Sequence, residues 1–192
     1  LCRPAGSGAI AKKGSTGLTV NQSSASGIID WSSFSIGKGN KVNFDNGSGA
    51  TLNRVTGGNL STIAGSLKAT GSVYLINPQG VIVSKTGRVV TGGSFIASSR
   101  DESDSDFMNE RRRFRGSSKG DVSNAGKITS SNGDAVLIGR NVNNSGSITA
   151  ANGTASLAAG NDVLLMPAGS SILISGGSGN VTNSGTLSSA QA

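Results

Sequence analysis

The chain has 192 residues, of which 30 are Gly, 3 are Pro and 14% are charged, and its formal net charge is +7. It contains no His and one Cys, which excludes a Ser-His-Asp triad, a His-ligated zinc site, an internal disulfide and a cysteine-based metal cluster. A membrane-spanning helix needs about 20 consecutive apolar residues, and no apolar run in the sequence is that long, so we expect no stable membrane insertion. We also expect no catalytic residue, no metal and no cofactor.

The first half of the chain contains strand signals and no clear helix signal. Five segments are rich in β-branched and aromatic residues: 18–22, 28–36, 41–44, 72–76 and 81–83. The large aromatic residues also precede the regular part of the chain: Trp31, Phe34, Phe44, Tyr74 and Phe95. Because an open sheet end exposes unpaired backbone, we expect this half to supply an amino-terminal cap, with Trp31 packed in it. We expect Cys2 to be a free thiol at a frayed end.

A charged block separates this half from the rest of the chain. Residues 100–115 contain five acidic and five basic residues around Phe107 and Phe114. The charges cancel within the block, and its Arg run at 111–113 is accompanied by no nucleic-acid-binding motif. We therefore expect a self-neutralising, solvated hairpin or loop that leaves the main structure, and no nucleic-acid partner.

The second half carries an internal repeat of twenty residues. Half of the positions in one period are identical in the next, as in Val122 and Val142, Asn124 and Asn144, Ile128 and Ile148, or Leu137 and Leu157. A degenerate later copy begins at Val181. A fixed period of this size is typical of a solenoid, in which each unit buries its apolar face against the next copy.

The residues within the repeat indicate which solenoid it is. Short β-branched runs such as 135–138 are separated by Asn-Gly, Ser-Gly and Gly-Asn pairs, which favour tight corners. Twenty residues with about three corners fit one turn of a parallel β-helix. A leucine-rich repeat would need a Leu-x-x-Leu-x-Leu consensus that is absent. The sequence thus predicts an all-β parallel β-helix with an amino-terminal cap and an extra-helical hairpin or loop.

Four segments in a fixed order resemble a known family. They are IIDWSSFSIG at 28–37, NRVTGG at 53–58, GSVYLINPQGV at 71–81 and FIAS at 95–98. Together they are similar to the amino-terminal secretion, or haemagglutination activity, domain of two-partner secretion exoproteins, the filamentous haemagglutinin and high-molecular-weight adhesin family. The family's Asn-Pro-Asn-Gly-Ile element corresponds to residues 77–81, which are Asn-Pro-Gln-Gly-Val in this chain. The Asn-Pro-Asn-Leu element of the filamentous haemagglutinin branch is absent. The chain therefore resembles the high-molecular-weight adhesin branch more closely.

The resemblance implies a right-handed parallel β-helix that targets a long adhesin-like exoprotein for secretion and nucleates its folding. The implied partners are an outer-membrane β-barrel transporter with periplasmic POTRA modules and the downstream passenger of the same chain. The implied route runs through the periplasm of a Gram-negative bacterium to the cell surface or medium. We expect one secretion domain over 1–192, with cap and first coils at 1–99, the excursion at 100–115 and regular coils at 116–192.

Candidate recognition residues follow from the same segments. They are Asn53, Arg54, Asn77, Pro78, Gln79 and Gly80. The last four have the composition of a turn, with Pro fixing φ at the second position and Gly accepting a positive φ at the fourth. A purely structural role for this turn, and for Arg54 as a surface residue, remains open.

Charge suggests a docking face in the first half. Residues 1–99 hold nine Lys or Arg against two acids, whereas the charges cancel from Gly116 onward. A basic surface would speed the encounter with an acidic periplasmic module, although net charge also keeps a protein soluble. The alternative function is a carbohydrate-active or carbohydrate-binding β-helix, which would need acidic residues gathered in one groove.

Overall fold

The computed structural model describes residues 9–13, 16–166 and 171–190; Cys2 lies outside them. In chain order the elements are β1 Ala9–Lys13, β2 Gly17–Gln22, β3 Ser26–Trp31, β4 Lys41–Asp45, β5 Ala50–Val55, β6 Ser61–Ile63, β7 Ser66–Ala69, β8 Ser72–Ile76, β9 Val81–Val83, β10 Arg88–Thr91, β11 Phe95–Ser98, β12 Asp101–Glu102, α1 Asp104–Met108, β13 Arg113–Arg115, β14 Val122–Asn124, β15 Lys127–Ser130, β16 Ala135–Gly139, β17 Val142–Asn144, β18 Ser147–Ala150, β19 Ala155–Ala159, β20 Asp162–Leu165, β21 Ile172–Ser175, β22 Val181–Asn183 and β23 Thr186–Ser189.

The strands form three parallel sheets that wind into a right-handed β-helix, as predicted. Sheet A has the order β1-β2-β4-β7-β10-β15-β18-β23, sheet B the order β3-β5-β8-β11-β16-β19, and sheet C the order β6-β9-β14-β17-β22. From β4 to β22 each turn of the chain contributes one strand to each sheet in the order A, B, C, whereas the first turn reaches sheet C only through an isolated bridge between Ile36 and Ile63. The interior is filled by a continuous apolar cluster that runs from Val20 to Ala150. Among the described residues, no helix is long and apolar enough to cross a membrane.

The register of the strands follows the repeat. Val122 lies opposite Val142, Ile128 opposite Ile148, and Leu137 opposite Leu157. The later copy continues the stack, because Val142 lies opposite Val181. Ile128 is fully buried, as expected for an inward residue of a stacked coil.

The amino-terminal edge is covered by an antiparallel strand. Strand β1 pairs with β2 in the antiparallel sense, whereas β2 and β4 are parallel. This reversal protects the edge that the first coil would otherwise expose. Trp31 is half-buried and packs edge-to-face on Phe34, with ring centroids 5.5 Å apart. The expected cap is therefore present, although Tyr74 and Phe95 lie further along the helix.

The charged block leaves the β-helix as the expected hairpin, since β12 and β13 pair in the antiparallel sense, but it is not fully solvated. It forms β12, α1 and β13, and it packs on the outer face of sheet B. Phe107 and Phe114 are buried there against Tyr74, with ring centroids 5.3 and 6.4 Å away. Arg100 is also buried, and its guanidinium donates to the carbonyl oxygens of Gly160 and Ser118. The block is an apolar cover with a charged exterior.

A second excursion interrupts the regular coils expected over 116–192. Strands β20 and β21 form an antiparallel hairpin, and β20 pairs with β13. The resulting sheet D, in the order β12-β13-β20-β21, adds Val163 and Leu165 to the cover. Both excursions leave at the corner between sheets B and C. Because the cover also buries the outer face of sheet B, strands β8, β11 and β16 are buried along nearly their whole length rather than alternating.

Candidate functional site

Asn53 and Arg54, adjacent on β5, point in opposite directions. Asn53 is fully buried and faces the interior, where its side-chain oxygen Oδ1 accepts a hydrogen bond from the Trp31 indole nitrogen at 3.0 Å. Its amide nitrogen lies 3.3 Å from the carbonyl oxygens of Thr51 and Tyr74. An amide that joins three neighbouring strands in this way holds the register of the first coils, and no part of it is accessible to a partner.

Arg54 faces outward but is occupied by the excursion. Its guanidinium contacts carboxylate oxygens of Asp101 at 2.9 Å, Asp104 at 2.8 Å and Asp30 at 3.4 Å. It also donates to the carbonyl oxygen of Glu102 at 2.8 Å. The hydrogen bonds and charges of Asp101 and Asp104 raise the pKa of Arg54 although burial opposes them. In this arrangement Arg54 anchors the cover to sheet B, which leaves little of its charge for a docking partner.

The turn after β8 has the geometry that its residues predict. The Gly80 amide donates to the carbonyl oxygen of Asn77 at 2.9 Å, and Gly80 has a φ of 115°. The Asn77 side chain is fully buried. Its carbonyl oxygen accepts from the Gln79 amide at 2.9 Å, and its nitrogen donates to Ser61 Oγ at 2.9 Å. These bonds fix the corner from inside the helix.

Glycine is required at position 80 for two independent reasons. A positive φ of this size strains any residue with a side chain. In addition, a Cβ atom there would lie 2.6 Å from the carbonyl oxygen of Asp121 in the next coil. The turn is therefore locked against the segment before β14, so its exposed residues have fixed positions.

Of the six predicted residues, Pro78 and Gln79 are exposed. Gln79 lines a groove on the outer side of sheet C together with Leu60, Ile82 and Lys119. Leu60 and Ile82 are 46% and 36% exposed, which is unusual for large aliphatic side chains. Strand register brings the six predicted residues together. Arg54 on β5 lies opposite Ile76 at the end of β8, and Asn77, the first residue of the turn, comes directly after Ile76 in the chain. What faces outward at this corner is a rigid turn beside a groove whose lining mixes polar and aliphatic side chains.

Sequence reasoning missed one ionisable group beneath the cover. Glu102 is fully buried, and neither carboxyl oxygen has a hydrogen-bond partner within the described part of the chain. Burial raises the pKa of Glu102 to about 8, and the charge of Asp106 adds to this, whereas Arg112 lowers it. The charge-rich sequence around Glu102 suggests that its side chain is exposed. The signal against this was Phe107, an aromatic residue five positions later that is also buried.

The repeat predicts that Asn124 stacks on Asn144, and the structure adds that these amides face inward as a ladder. Asn124 Nδ2 donates to Asn144 Oδ1, and Asn144 Nδ2 donates to Asn183 Oδ1, both at 2.8 Å. The recurrence of Asn in the repeat was the available signal. These bonds connect three coils, so they are structural. Among the described residues, no group of three or more His, Cys, Asp or Glu side chains has a geometry suited to a metal ion.

Three comparisons relate the chain to known proteins. The family model "TPS secretion domain" matches residues 4–192. The crystal structure of the HMW1 secretion domain from Haemophilus influenzae superposes with a TM-score of 0.84 and 26% sequence identity, covering 94% of this chain and 56% of that one. Two heme/hemopexin-binding proteins of Haemophilus influenzae are each 42% identical, over 80 and 86 residues. These alignments cover 41% and 44% of the chain but 9% of each relative, so the chain corresponds to a small part of their length.

Proposed function

Because the chain belongs to the TPS secretion-domain family, in which the domain targets a large exoprotein for export, we propose that its exposed turn is the recognition element for the transporter. The partner in this proposal is an outer-membrane β-barrel with periplasmic POTRA modules, reached from the periplasm of a Gram-negative bacterium. The observation that carries it is the turn itself, in which Pro78 and Gln79 are exposed while Asn77 and Gly80 are buried and locked.

The groove beside the turn strengthens this proposal. Leu60 and Ile82 expose aliphatic surface next to Gln79, where a protein partner would bury it. Burial of these side chains would exclude water from the contact, which binding hot spots require. A rigid turn also binds at a low cost in conformational entropy.

A second part of the proposal concerns the passenger. Strands β22 and β23 continue sheets C and A, and Val181 and Leu187 on them are 49% and 37% exposed. In a solenoid such residues are buried by the next coil. The domain would therefore act as the template on which downstream coils of the same exoprotein stack, so that folding proceeds from the cap outward.

The test separates recognition from folding. The double variant Pro78→Ala, Gln79→Ala and the groove variant Leu60→Ser, Ile82→Ser are each expressed with the cognate transporter, and the exported fraction is measured. If the site is a hot spot worth about 2 kcal/mol, binding to the purified periplasmic modules weakens about 30-fold and export falls accordingly. The matched control is Asn132→Ala, Asn152→Ala, which changes two exposed corner residues on another side of the helix. Normal export of the turn and groove variants, with an unchanged thermal melt, would contradict the proposal.

The carbohydrate alternative is not favoured. The family and structural matches both indicate a secretion domain. Half of the carboxylates lie in the excursion, and Asp101 and Asp104 there are engaged by Arg54.

A further inference from the structure

Exposed cations are concentrated on one face of the β-helix. Lys41, Lys68, Arg88 and Lys127 project from strands of sheet A, and all four are exposed. Two further exposed lysines, Lys38 and Lys85, lie in the corners that lead into β4 and β10. We refer to these six residues as the basic face.

The strand register sets the spacing of these charges. Arg88 on β10 lies directly opposite Lys127 on β15. On its other side Arg88 lies opposite Ser66 on β7, and Ser66 lies opposite Lys41 on β4. With about 4.8 Å between neighbouring strands, the three cations form a line with intervals of about 5 and 10 Å. Like charges placed directly opposite each other in a sheet are destabilising. Folding alone therefore gives no reason for this arrangement.

The acidic residues are segregated from this face. Of the ten acids in the chain, one, Asp45, lies on a strand of sheet A. Arg54 is paired with Asp30 of sheet B and with Asp101 and Asp104 of the excursion. Four arginines of the excursion are paired with Asp106 of α1, with Asp162 of sheet D or with Asp134 in the corner before β16. In contrast, no ion pair within residues 16–166 and 171–190 involves any cation of the basic face. Six unpaired cations against one acid thus make this surface strongly positive.

We propose that the basic face is the surface through which the domain first meets an acidic protein surface on the periplasmic modules of its transporter. This inference rests on the proposed function and adds a second, electrostatic contact to the turn. The two surfaces adjoin, since Lys85 is three residues beyond Ile82 at the corner between sheets C and A. The basic face attracts the periplasmic modules before contact, and the neighbouring turn then binds them.

A folded protein partner fits this face better than a membrane does. The cations occupy fixed positions on strands and alternate with Asn43, Thr129 and Thr149. Val90 is the one large apolar side chain exposed on described strands of sheet A before β23. Proteins that bind at a membrane surface combine basic residues with an apolar face that enters the lipid, and this sheet offers none.

The experiment compares two variants of equal net charge. The face variant carries Lys41→Gln, Lys68→Gln and Arg88→Gln, and the control carries Arg111→Gln, Arg115→Gln and Arg140→Gln, which are exposed residues away from sheet A. Association with the purified periplasmic modules of the transporter is measured by stopped flow at ionic strengths of about 0.03 and 0.3 M, where the screening length falls severalfold. We expect the face variant to associate about tenfold more slowly at low salt, with a flatter salt dependence and an almost unchanged dissociation rate, whereas the control matches the wild type.

The other outcomes either overturn this proposal or separate it from the turn proposal. Equal slowing of both variants would assign the effect to net charge rather than to the face. Loss of binding to vesicles of phosphatidylglycerol and phosphatidylethanolamine, with normal association to the modules, would assign the face to lipid. If the face variant is slowed while the Pro78 and Gln79 variant binds normally, the turn proposal fails and this one stands. If the wild-type domain does not bind the modules, both fail together.

Discussion

Replacing Glu102 by Gln should stabilise the domain at neutral pH and remove most of its pH dependence. The carboxyl group is buried between sheet B and the excursion. The charged groups that act on it are Asp101 on its own strand, Asp106 on α1, Arg112 before β13 and Arg54 on β5. Because burial raises its pKa in the folded protein from 4.5 to about 8, the folded state keeps a proton at pH 7 that the unfolded state loses.

The sign and size of the effect follow from this difference in proton binding. The free energy of unfolding falls as pH rises between the two pKa values, by about 1.4 kcal/mol per pH unit, or about 2–3 kcal/mol from pH 5 to pH 7. Below the unfolded pKa the penalty disappears. The Gln side chain is neutral throughout, so the variant should exceed the wild type by about 2–3 kcal/mol at pH 7 and match it near pH 4.

The measurement is reversible urea unfolding of both proteins at pH 5, 6, 7 and 8. This window suits the test because the chain has no His. The raised pKa of Tyr74, to about 12, and the lowered pKa of Asp162 both lie outside the window. Parallel pH profiles for wild type and variant, or a variant that is less stable at pH 7, would refute the assignment of a buried neutral carboxyl to position 102.

Three further predictions address packing, the turn and the cover. Ile128→Asp should place an unpaired charge in the core and destabilise the coils by several kcal/mol, which a thermal melt would detect, and an unchanged melt would remove Ile128 from the core. Gly80→Ala should cost about 2–4 kcal/mol through its positive φ and its contact with the next coil, whereas Gly47→Ala, at a φ of 57° with open space around it, should cost about 1 kcal/mol; equal melting temperatures would contradict the contact. Arg54→Gln should accelerate amide exchange over 101–115 while the coils stay protected, and uniform protection would show that Arg54 does not hold the cover.

The repeat was the part of the fold most open to prediction. Identity at a spacing of twenty residues predicts which residues stack, because in a parallel β-helix equivalent side chains occupy equivalent positions in neighbouring coils. The pairs Ile128 with Ile148 and Asn124 with Asn144 follow directly. The turn at 77–80 was equally predictable, since Pro and Gly restrict the backbone locally.

The cover was not predictable from the pattern of charges. Residues 100–115 are neutral in sum, and that sum conceals two buried aromatic rings that depend on the outer surface of sheet B. The pairing of β13 with β20 joins segments that are 49 residues apart at Arg113 and Asp162, and no local signal reports it. For the same reason Arg54 was expected to be available, although its partners Asp101 and Asp104 lie in the excursion.

The placement of the two excursions determines an order of assembly for a chain that folds from its amino end. The coils from β2 to β17 stack on neighbours that are already complete, so their inner core forms through short-range steps. Sheet D, however, needs β20, which follows β13 only after two further full coils. Until Val163 and Leu165 arrive, Ile96, Val136 and Ile138 remain partly uncovered. The outer layer therefore closes only after the inner coils up to β19 are in place. A nascent domain halted before residue 162 would expose an apolar sheet that the finished domain conceals.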